Sequence, residues 1–145
     1  MSILVEAFMT RSPTCVDAGT PFREAHRLMH TLDVRHLPVL REGRLAGVLS
    51  QRDLLRMESL ANIDRTRDPV SDAMTLNPFV VEPSAEVGQV VAEMALRKLG
   101  SAIVVENDRV VGIFTTTDAL QAFAALLRRG AVEERRSSFR AAGMI

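Results

Sequence analysis

Hydrophobic and polar positions along the chain follow one pattern that occurs twice, with the second copy 65 residues after the first. Met9-Thr10 falls on Met74-Thr75, and Gly47 falls on Gly112, without any gap. The match extends over about fifty residues, which indicates an internal duplication. The chain is therefore expected to consist of two copies of one structural unit.

Each copy alternates between helix-like and strand-like spacing of its apolar residues. Helical spacing covers 22–32 in the first copy and 87–95 in the second. Short apolar runs predict strands at 14–16, 37–40 and 45–49, and at 79–81, 102–105 and 110–114. The turns at 41–44 and 106–109 contain Gly43, or Asn107 and Asp108, which tolerate left-handed backbone. A second helix is expected to begin near Gln51 and near Thr116.

The order of elements is β-α-β-β-α in each copy, which predicts an α+β fold of two pseudo-symmetric repeats. Three strands and two helices are too few to bury both faces of a sheet, so the halves are expected to pack about a pseudo-two-fold axis. Residues 5–9 match residues 70–74 and predict a helical turn that introduces each unit. Pro21 is expected in the first turn of its helix, with Thr20 as the cap.

Each copy also places an aspartate three positions after a hydroxyl residue at a helix start: Asp53 after Ser50, and Asp118 after Thr115. One interpretation is a capping box, in which the two side chains satisfy free amides of the first turn. The other is a nucleotide site, because a helix N-terminus suits a phosphate and the carboxylate can accept hydrogen bonds from a ribose diol. One copy alone favours the cap, whereas two copies at the same spacing favour the site more. The glycine three residues earlier lets a neighbouring backbone or a ligand come close.

Composition limits the classes of function. Eighteen basic and eighteen acidic residues cancel, so the broad electrostatic footprint of a nucleic-acid-binding protein is not expected. The single Cys15 excludes an internal disulfide and a cysteine-based zinc site. No apolar run approaches the roughly 20 residues of a membrane span, and the N-terminus lacks the features of a signal peptide. A cytoplasmic protein without a membrane partner is expected.

The repeated unit resembles the CBS domain, named after cystathionine-β-synthase, two copies of which form a Bateman module. The likeness rests on Met9-Thr10-x-x-Pro13 and Met74-Thr75-x-x-Pro78, on Arg35-His36-Leu37-Pro38-Val39, and on Gly47-x-x-Ser50-x-x-Asp53 and Gly112-x-x-Thr115-x-x-Asp118. On this basis we expect a first CBS repeat at 5–60, a connector at 61–69, a second repeat at 70–129 and a C-terminal tail at 130–145.

The resemblance implies a stand-alone regulatory, energy-sensing module that binds an adenosyl ligand (AMP, ADP, ATP or S-adenosylmethionine) between the repeats and signals to an effector protein. In this family the Ser or Thr contacts phosphate, the Asp holds the ribose hydroxyls, and small or apolar residues enclose the adenine. The implied ligand-binding residues are Ser50, Asp53, Thr14, Val16, His36, Leu37 and Pro38 in the first site, and Thr115, Asp118, Phe79, Val80, Ser101, Ala102 and Ile103 in the second. Arg52 is a further candidate, for neutralising a phosphate, with a solvated side chain as the equal alternative. The slim segment 100–102 predicts that the second site is the better adenine pocket.

Other functions have less support in the sequence. An enzyme is not expected, because no catalytic triad, metal triad or P-loop stands out, and no cofactor is required. His26 and His30 have a spacing that can hold a metal, but no third ligand accompanies them, so no metal site is expected. The alternative to a ligand sensor is a ligand-free scaffold for protein–protein interaction, in which both hydroxyl–aspartate pairs act only as caps. Nucleic-acid binding through the arginines of the tail is a third, weaker hypothesis.

The last predicted helix carries an apolar stripe that includes Leu120, Phe123 and Leu127. This stripe indicates a homodimer contact, with packing against the core of the same chain as the equal alternative. Residues from 131 onwards are expected to continue the helix or to form a loose end.

Overall fold

A computed structural model of the chain describes residues 2–60 and 62–143. Its elements are, in chain order, β1 (Thr10–Arg11), β2 (Val16–Asp17), α1 (Phe22–Leu32), β3 (His36–Arg41), β4 (Arg44–Ser50), α2 (Gln51–Leu60), β5 (Thr75–Leu76), β6 (Val80–Val81), α3 (Val87–Arg97), β7 (Ser101–Glu106), β8 (Arg109–Thr115) and α4 (Thr116–Ala141). The predicted α+β fold of two repeats is confirmed. Strands β2 and β6 are shorter than predicted, because Thr14, Cys15 and Phe79 lie in the loops before them. Residue 61 of the expected connector and residues 144–145 of the expected tail lie outside the described residues.

The strands form two four-stranded sheets, and each sheet takes one strand from the other repeat. One sheet has the order β2-β3-β4-β5 and the other the order β1-β8-β7-β6. Thr10 lies opposite Ile113 in the β1–β8 pair, and Thr75 lies opposite Val48 in the β4–β5 pair. The halves are therefore joined by an exchange of short edge strands.

The segment that introduces each repeat follows the same exchange. Short 3₁₀ turns at Val5–Ala7 and Val70–Asp72 confirm the two predicted helical turns. However, Val5 packs in the core of the second half, and Val70 packs in the core of the first. The expectation that each turn belongs to its own unit is therefore wrong. Equivalent repeats offer equivalent docking surfaces, so the periodic pattern does not determine which half receives the segment.

Glycines 47 and 112 stand where the exchanged strands meet the sheets. A Cβ added to Gly47 would lie 2.6 Å from the backbone oxygen of Thr75, and one added to Gly112 would contact Met9 Sδ and lie 3.2 Å from the backbone oxygen of Thr10. The repeated Met-Thr pair and the repeated glycine are thus the two sides of one close contact between the halves.

Each half has its own apolar core beneath its helices. Phe22, Leu37, Leu49 and Leu54 are among the fully or almost fully buried residues of the first core. Phe114 takes the place of Leu49 in the second core and is fully buried. Burying a side chain of this size contributes about 1.5–3 kcal/mol, so these residues account for much of the driving force for folding.

The β3–β4 and β7–β8 hairpins have the turns that their sequences predict. Glu42 and Gly43 have φ values of 52° and 78°, and Asn107 and Asp108 have values of 51° and 61°. Two consecutive residues with positive φ form the type I′ turn, whose twist matches that of the flanking strands. These turns fix the register that brings the start of β3 or β7 beside the end of its partner strand.

The start of α1 differs from the prediction. Helix α1 begins at Phe22, Pro21 occupies the cap position, and no side chain caps the helix, so Thr20 is not the cap. Instead the amide of Phe22 donates to the Asp68 carbonyl at 3.2 Å, and the amide of Arg23 donates to the Arg65 carbonyl at 2.9 Å. The connector therefore satisfies the first turn of α1 with its own backbone.

Helix α4 is longer than the other helices and runs through the expected start of the tail to Ala141. Residues 130–141 therefore continue this helix, as one of the two predicted options had it. Within the described ranges, no helix combines the length and the apolar composition that crossing a membrane requires.

Candidate functional site

The starts of α2 and α4 lie beside the starts of β3 and β7, in equivalent positions of the two halves. His36 pairs with Ser50, and Ser101 pairs with Thr115, across the respective hairpins. The Gln51 amide donates to the Arg35 carbonyl at 2.8 Å, and the Thr116 amide donates to the Gly100 carbonyl at 3.2 Å. In each half the structure thus brings together the hydroxyl, the aspartate and the first residue of the strand that the sequence singled out.

In the second half, the hydroxyl–aspartate pair forms a complete capping box. The Asp118 amide donates to Thr115 Oγ1 at 3.4 Å. The Asp118 carboxylate accepts in return from the Thr115 amide at 2.9 Å and from the Thr115 hydroxyl at 3.2 Å. Asp118 is only 7% exposed, so its carboxylate is held by its own helix start.

In the first half, the carboxylate is less constrained. The Asp53 amide donates to Ser50 Oγ at 3.0 Å, as in a cap. The Asp53 carboxylate, which is half-buried, accepts from the Thr75 hydroxyl at a longer 3.4 Å. Thr75 belongs to the exchanged strand β5 and was not among the predicted site residues. The repeated Met-Thr pair was the sequence signal that could have found it.

His36 lies at the contact between the two halves. A Cβ added to Gly100 would lie 2.7 Å from His36 Nε2, so the imidazole rests on the backbone of the second half. Burial lowers the pKa of His36 below its ordinary value; the Asp53 carboxylate raises it, and the Arg35 and Arg52 cations lower it further. The imidazole is therefore neutral at neutral pH in the ligand-free protein.

Three of the predicted apolar residues are occupied elsewhere. Val16 and Leu37 belong to the first core, and Ala102 belongs to the second. Their side chains pack in the helix-covered cores, so any contact that they make with a ligand would come from their backbone. Pro38 and its repeat partner Ile103 are also fully buried but lie outside these two cores.

The other predicted residues differ in their exposure. Ser101 is buried, and Thr14 is exposed in the loop before β2. Val80 is 46% exposed on the edge strand β6. Phe79 packs against the second core, and the Arg97 guanidinium lies 5.4 Å from the centroid of its ring.

Two surface cavities lie next to the predicted residues rather than on them. A cavity of about 500 Å³ is lined by His26, Met29, His30, Asp33, Val34, Arg35 and Gln51. A second, of about 450 Å³, is lined by Val80, Val81, Glu82, Val105, Asn107 and Asp108. Neither cavity includes Ser50, Asp53, Thr115 or Asp118 in its lining. We follow the hydrogen-bond geometry in locating the candidate site, because the paired chemistry lies there and the cavities are open surface hollows.

The described residues contain no group of three or more His, Cys, Asp or Glu side chains that could hold a metal. His26 is instead paired with Glu58, with His26 Nε2 at 2.5 Å from Glu58 Oε1. The i and i+4 spacing of His26 and His30 therefore serves a contact between helices.

These observations define a protein built from two repeated units, each of which offers a hydroxyl and a carboxylate at a helix start near the contact between the halves. The CBS domain profile matches residues 5–59 and 70–125. The chain therefore belongs to the CBS domain family and contains a pair of these domains.

Known proteins share this arrangement. A Vibrio cholerae protein provisionally assigned to acetoin utilization (AcuB) is 32% identical, with a TM-score of 0.78, over 88% of this chain and 95% of that one. CBSX2, solved in complex with AMP, is 27% identical, with a TM-score of 0.74, over 84% of this chain and 97% of that one. The inosine-5′-monophosphate dehydrogenase of Korarchaeum cryptofilum is 28% identical over 116 residues, which is 78% of this chain but 23% of that protein. The chain thus spans less than a quarter of the length of this enzyme.

Proposed function

We propose that the chain is a regulatory module that binds an adenosyl nucleotide between its two halves and has no catalytic activity of its own. Membership of the CBS family supports this proposal, as does the likeness to CBSX2, which was solved with AMP. The observation that carries it is the Asp53 carboxylate. It is half-buried near the contact between the halves, and its hydrogen bond with Thr75 is long enough for a ribose diol to replace it.

A ligand held there would contact groups from both repeats. Asp53 and Ser50 come from the first repeat, and Thr75 comes from the strand that the second repeat contributes. The ligand would favour the arrangement of the halves that it binds more tightly, by no more than its difference in affinity for the two arrangements. We propose that an effector protein senses this change through the exposed surface of the module.

Calorimetric and thermal-shift titrations with AMP, ADP, ATP and S-adenosylmethionine test the proposal. A ligand at 100 times its Kd is expected to add about 2.7 kcal/mol of stability. Asp53→Asn should weaken binding by at least about tenfold, the loss of one charge-assisted hydrogen bond. Asp108→Asn is the matched control, because it makes the same substitution in an exposed turn that suits asparagine. If no adenosyl compound binds, the proposal is wrong and the ligand-free scaffold is favoured.

We also propose a homodimer formed through α4. Leu120, Phe123 and Leu127 on this helix are 68%, 58% and 58% exposed. The accessible surface is 9793 Å², whereas a compact monomer of this mass exposes about 7,400 Å². Part of the excess is the projecting end of α4, but the whole excess is larger than the roughly 800 Å² that each partner buries in a standard interface.

Light scattering after size-exclusion chromatography measures the oligomeric state. Phe123→Glu is expected to shift the protein from dimer to monomer, because it would place a charge in an apolar contact. Leu76→Glu changes an equally exposed apolar residue, 63% exposed on β5, and should leave the dimer intact. A wild-type monomer, or a Phe123→Glu variant that remains a dimer, would contradict the α4 contact.

A further inference from the structure

The two candidate sites differ most in their charge. In the first half, the cations Arg35 and Arg52 and the anion Asp53 all act on the His36 imidazole. The matching positions of the second half hold Gly100, Ser101, Thr117 and Asp118. Two cations against one anion give the first site a net charge of +1 with His36 neutral, and one anion without a cation gives the second site −1.

The cationic groups surround the place where the halves meet. His36 contacts Gly100 of the second half and lies opposite Ser50 in the β3–β4 hairpin. Arg52 lies in the first turn of α2, one residue before Asp53, and is exposed. A ligand whose ribose is bound by Asp53 would therefore have a titratable imidazole and a solvated guanidinium beside its 5′ substituent.

Phosphate groups match this set of donors. A guanidinium donates to phosphate oxygens in a bidentate manner, and a helix N-terminus adds a favourable field. S-adenosylmethionine carries a sulfonium cation at the same position of the ribose, which a net positive site repels. Adenosine carries no charge there and gains nothing from these groups.

We propose that His36 and Arg52 recognise the phosphate groups of the ligand, so that the first half selects adenosyl nucleotides with two or three phosphates over adenosine and S-adenosylmethionine. This inference rests on the proposed function and names the class of ligand. Because the site is cationic only in the first half, the two halves have different ligand preferences despite their common fold.

The inference includes a link to protons. His36 is neutral in the ligand-free protein, and a phosphate beside it stabilises the imidazolium. Within the described residues, the charged groups that act on the imidazole are Asp53, Arg35 and Arg52. Binding of ATP is therefore expected to take up a proton and to tighten as pH falls from about 7.5 to about 6.5, around the ordinary pKa of histidine. The terminal phosphate of ATP also titrates near this range, so the contribution of His36 is the difference between wild type and a His36 variant.

Calorimetric titration of the full chain with ATP and with adenosine, in buffers of different ionisation enthalpy, tests these points. ATP is expected to bind at least about tenfold more tightly than adenosine, and Arg52→Gln to weaken ATP about tenfold with adenosine unchanged. His36→Ser copies the residue of the second half and should remove the buffer-dependent heat. Ser101→Ala and Thr117→Ala, at the matching positions of the second half, are the controls and should change ATP affinity less than about twofold.

The outcomes separate this inference from the proposed function. If ATP and adenosine bind equally and Arg52→Gln changes neither, the phosphate inference is overturned, while adenosine binding that Asp53→Asn weakens still supports the proposed function. If the second-half controls weaken ATP as much as Arg52→Gln does, the phosphates lie in the other half and the inference is wrong. If ATP binds through Arg52 while Asp53→Asn has no effect, the inference stands and the ribose assignment fails. Arg52 is exposed, so its variant keeps the test valid even if His36→Ser does not fold.

Discussion

The two halves share one topology but differ in what covers their helices. In the first half, Glu58 of α2 lies with its Oε1 at 2.5 Å from His26 Nε2 and its Oε2 at 2.9 Å from Arg65 Nη2. The Glu58 side chain is 8% exposed, and the Arg65 contact is ionic, because its geometry is not that of a hydrogen bond. The matching residues of the second half are Val91 and an exposed Phe123. A charged contact thus holds the connector over the first half, and an apolar surface stays open on the second.

This difference follows from what the chain must do after each repeat. Helix α2 ends at Leu60 so that the connector can return to α1 and satisfy its first amides. Helix α4 has no such connection to make and continues to Ala141. The closing helix of one repeat is therefore covered by its own chain, whereas that of the other has a face available to a partner.

The candidate sites show the same divergence. Asp118 is buried and bound by Thr115, whereas Asp53 is half-buried and bound only weakly by Thr75. Repeats with one motif can therefore hold it in two states, one closed on itself and one open to a ligand. Four changes, ordered by their expected effect, test how far the halves depend on each other and how far they differ.

The largest effects are expected in the two cores. Phe114→Ala should cost about 3–5 kcal/mol and Leu49→Ala about 2–5 kcal/mol, because each leaves a cavity at a fully buried position. Since each sheet contains a strand from the other repeat, both variants should lower one common unfolding transition. Circular dichroism during denaturation measures it. Two separate transitions would show that the halves unfold independently, in conflict with the exchange of strands.

The glycines of the exchanged strands should respond unequally. A Cβ at position 47 would meet the backbone oxygen of Thr75, which cannot move without shifting β5, whereas a Cβ at position 112 would mainly meet the flexible side chain of Met9. Overpacking costs about 1–3 kcal/mol, so Gly47→Ala is expected near the upper end of this range and Gly112→Ala near the lower. Denaturant midpoints of the two variants make the comparison, and a larger loss for Gly112→Ala would contradict it.

The sequence predicted the order of the elements, the type I′ turns and the pairing of hydroxyl with aspartate, because these depend on local spacing. It did not predict which half receives β1 and β5, because the two halves are equivalent partners for either segment. Nor did it predict the contact of His36 with Gly100, or the different hydrogen bonds of Asp53 and Asp118. These depend on how the halves meet, which periodicity within one repeat does not encode.

The charged contact over the first half should have a smaller effect than the cores or Gly47. Glu58→Gln keeps the volume and removes the charge, and it is expected to cost about 1–2 kcal/mol, as for one charge-assisted hydrogen bond. His26 and Arg65 remain 28% and 63% exposed and can still be solvated, which limits the loss. Phe123→Gln, at the matching exposed position, should change the stability of the monomer by less than about 0.5 kcal/mol. Equal losses in thermal unfolding at low protein concentration would mean that the connector contact adds no stability.

The smallest effect is expected from the titration of His36. Burial lowers its folded-state pKa below the ordinary value of 6.5, so the unfolded chain binds more protons in the window between the two values. Stability of the ligand-free protein should therefore fall as pH drops through 6.5 towards the lower folded-state pKa, with a slope below the 1.4 kcal/mol per pH unit, or about that, of one full proton. His36→Ser should flatten this part of the profile, and the difference between the two proteins isolates His36 from the other two histidines. An unchanged slope in the variant would show that the imidazole is as well solvated in the folded protein as in the unfolded chain, and that His36 does not mark a buried contact between the halves.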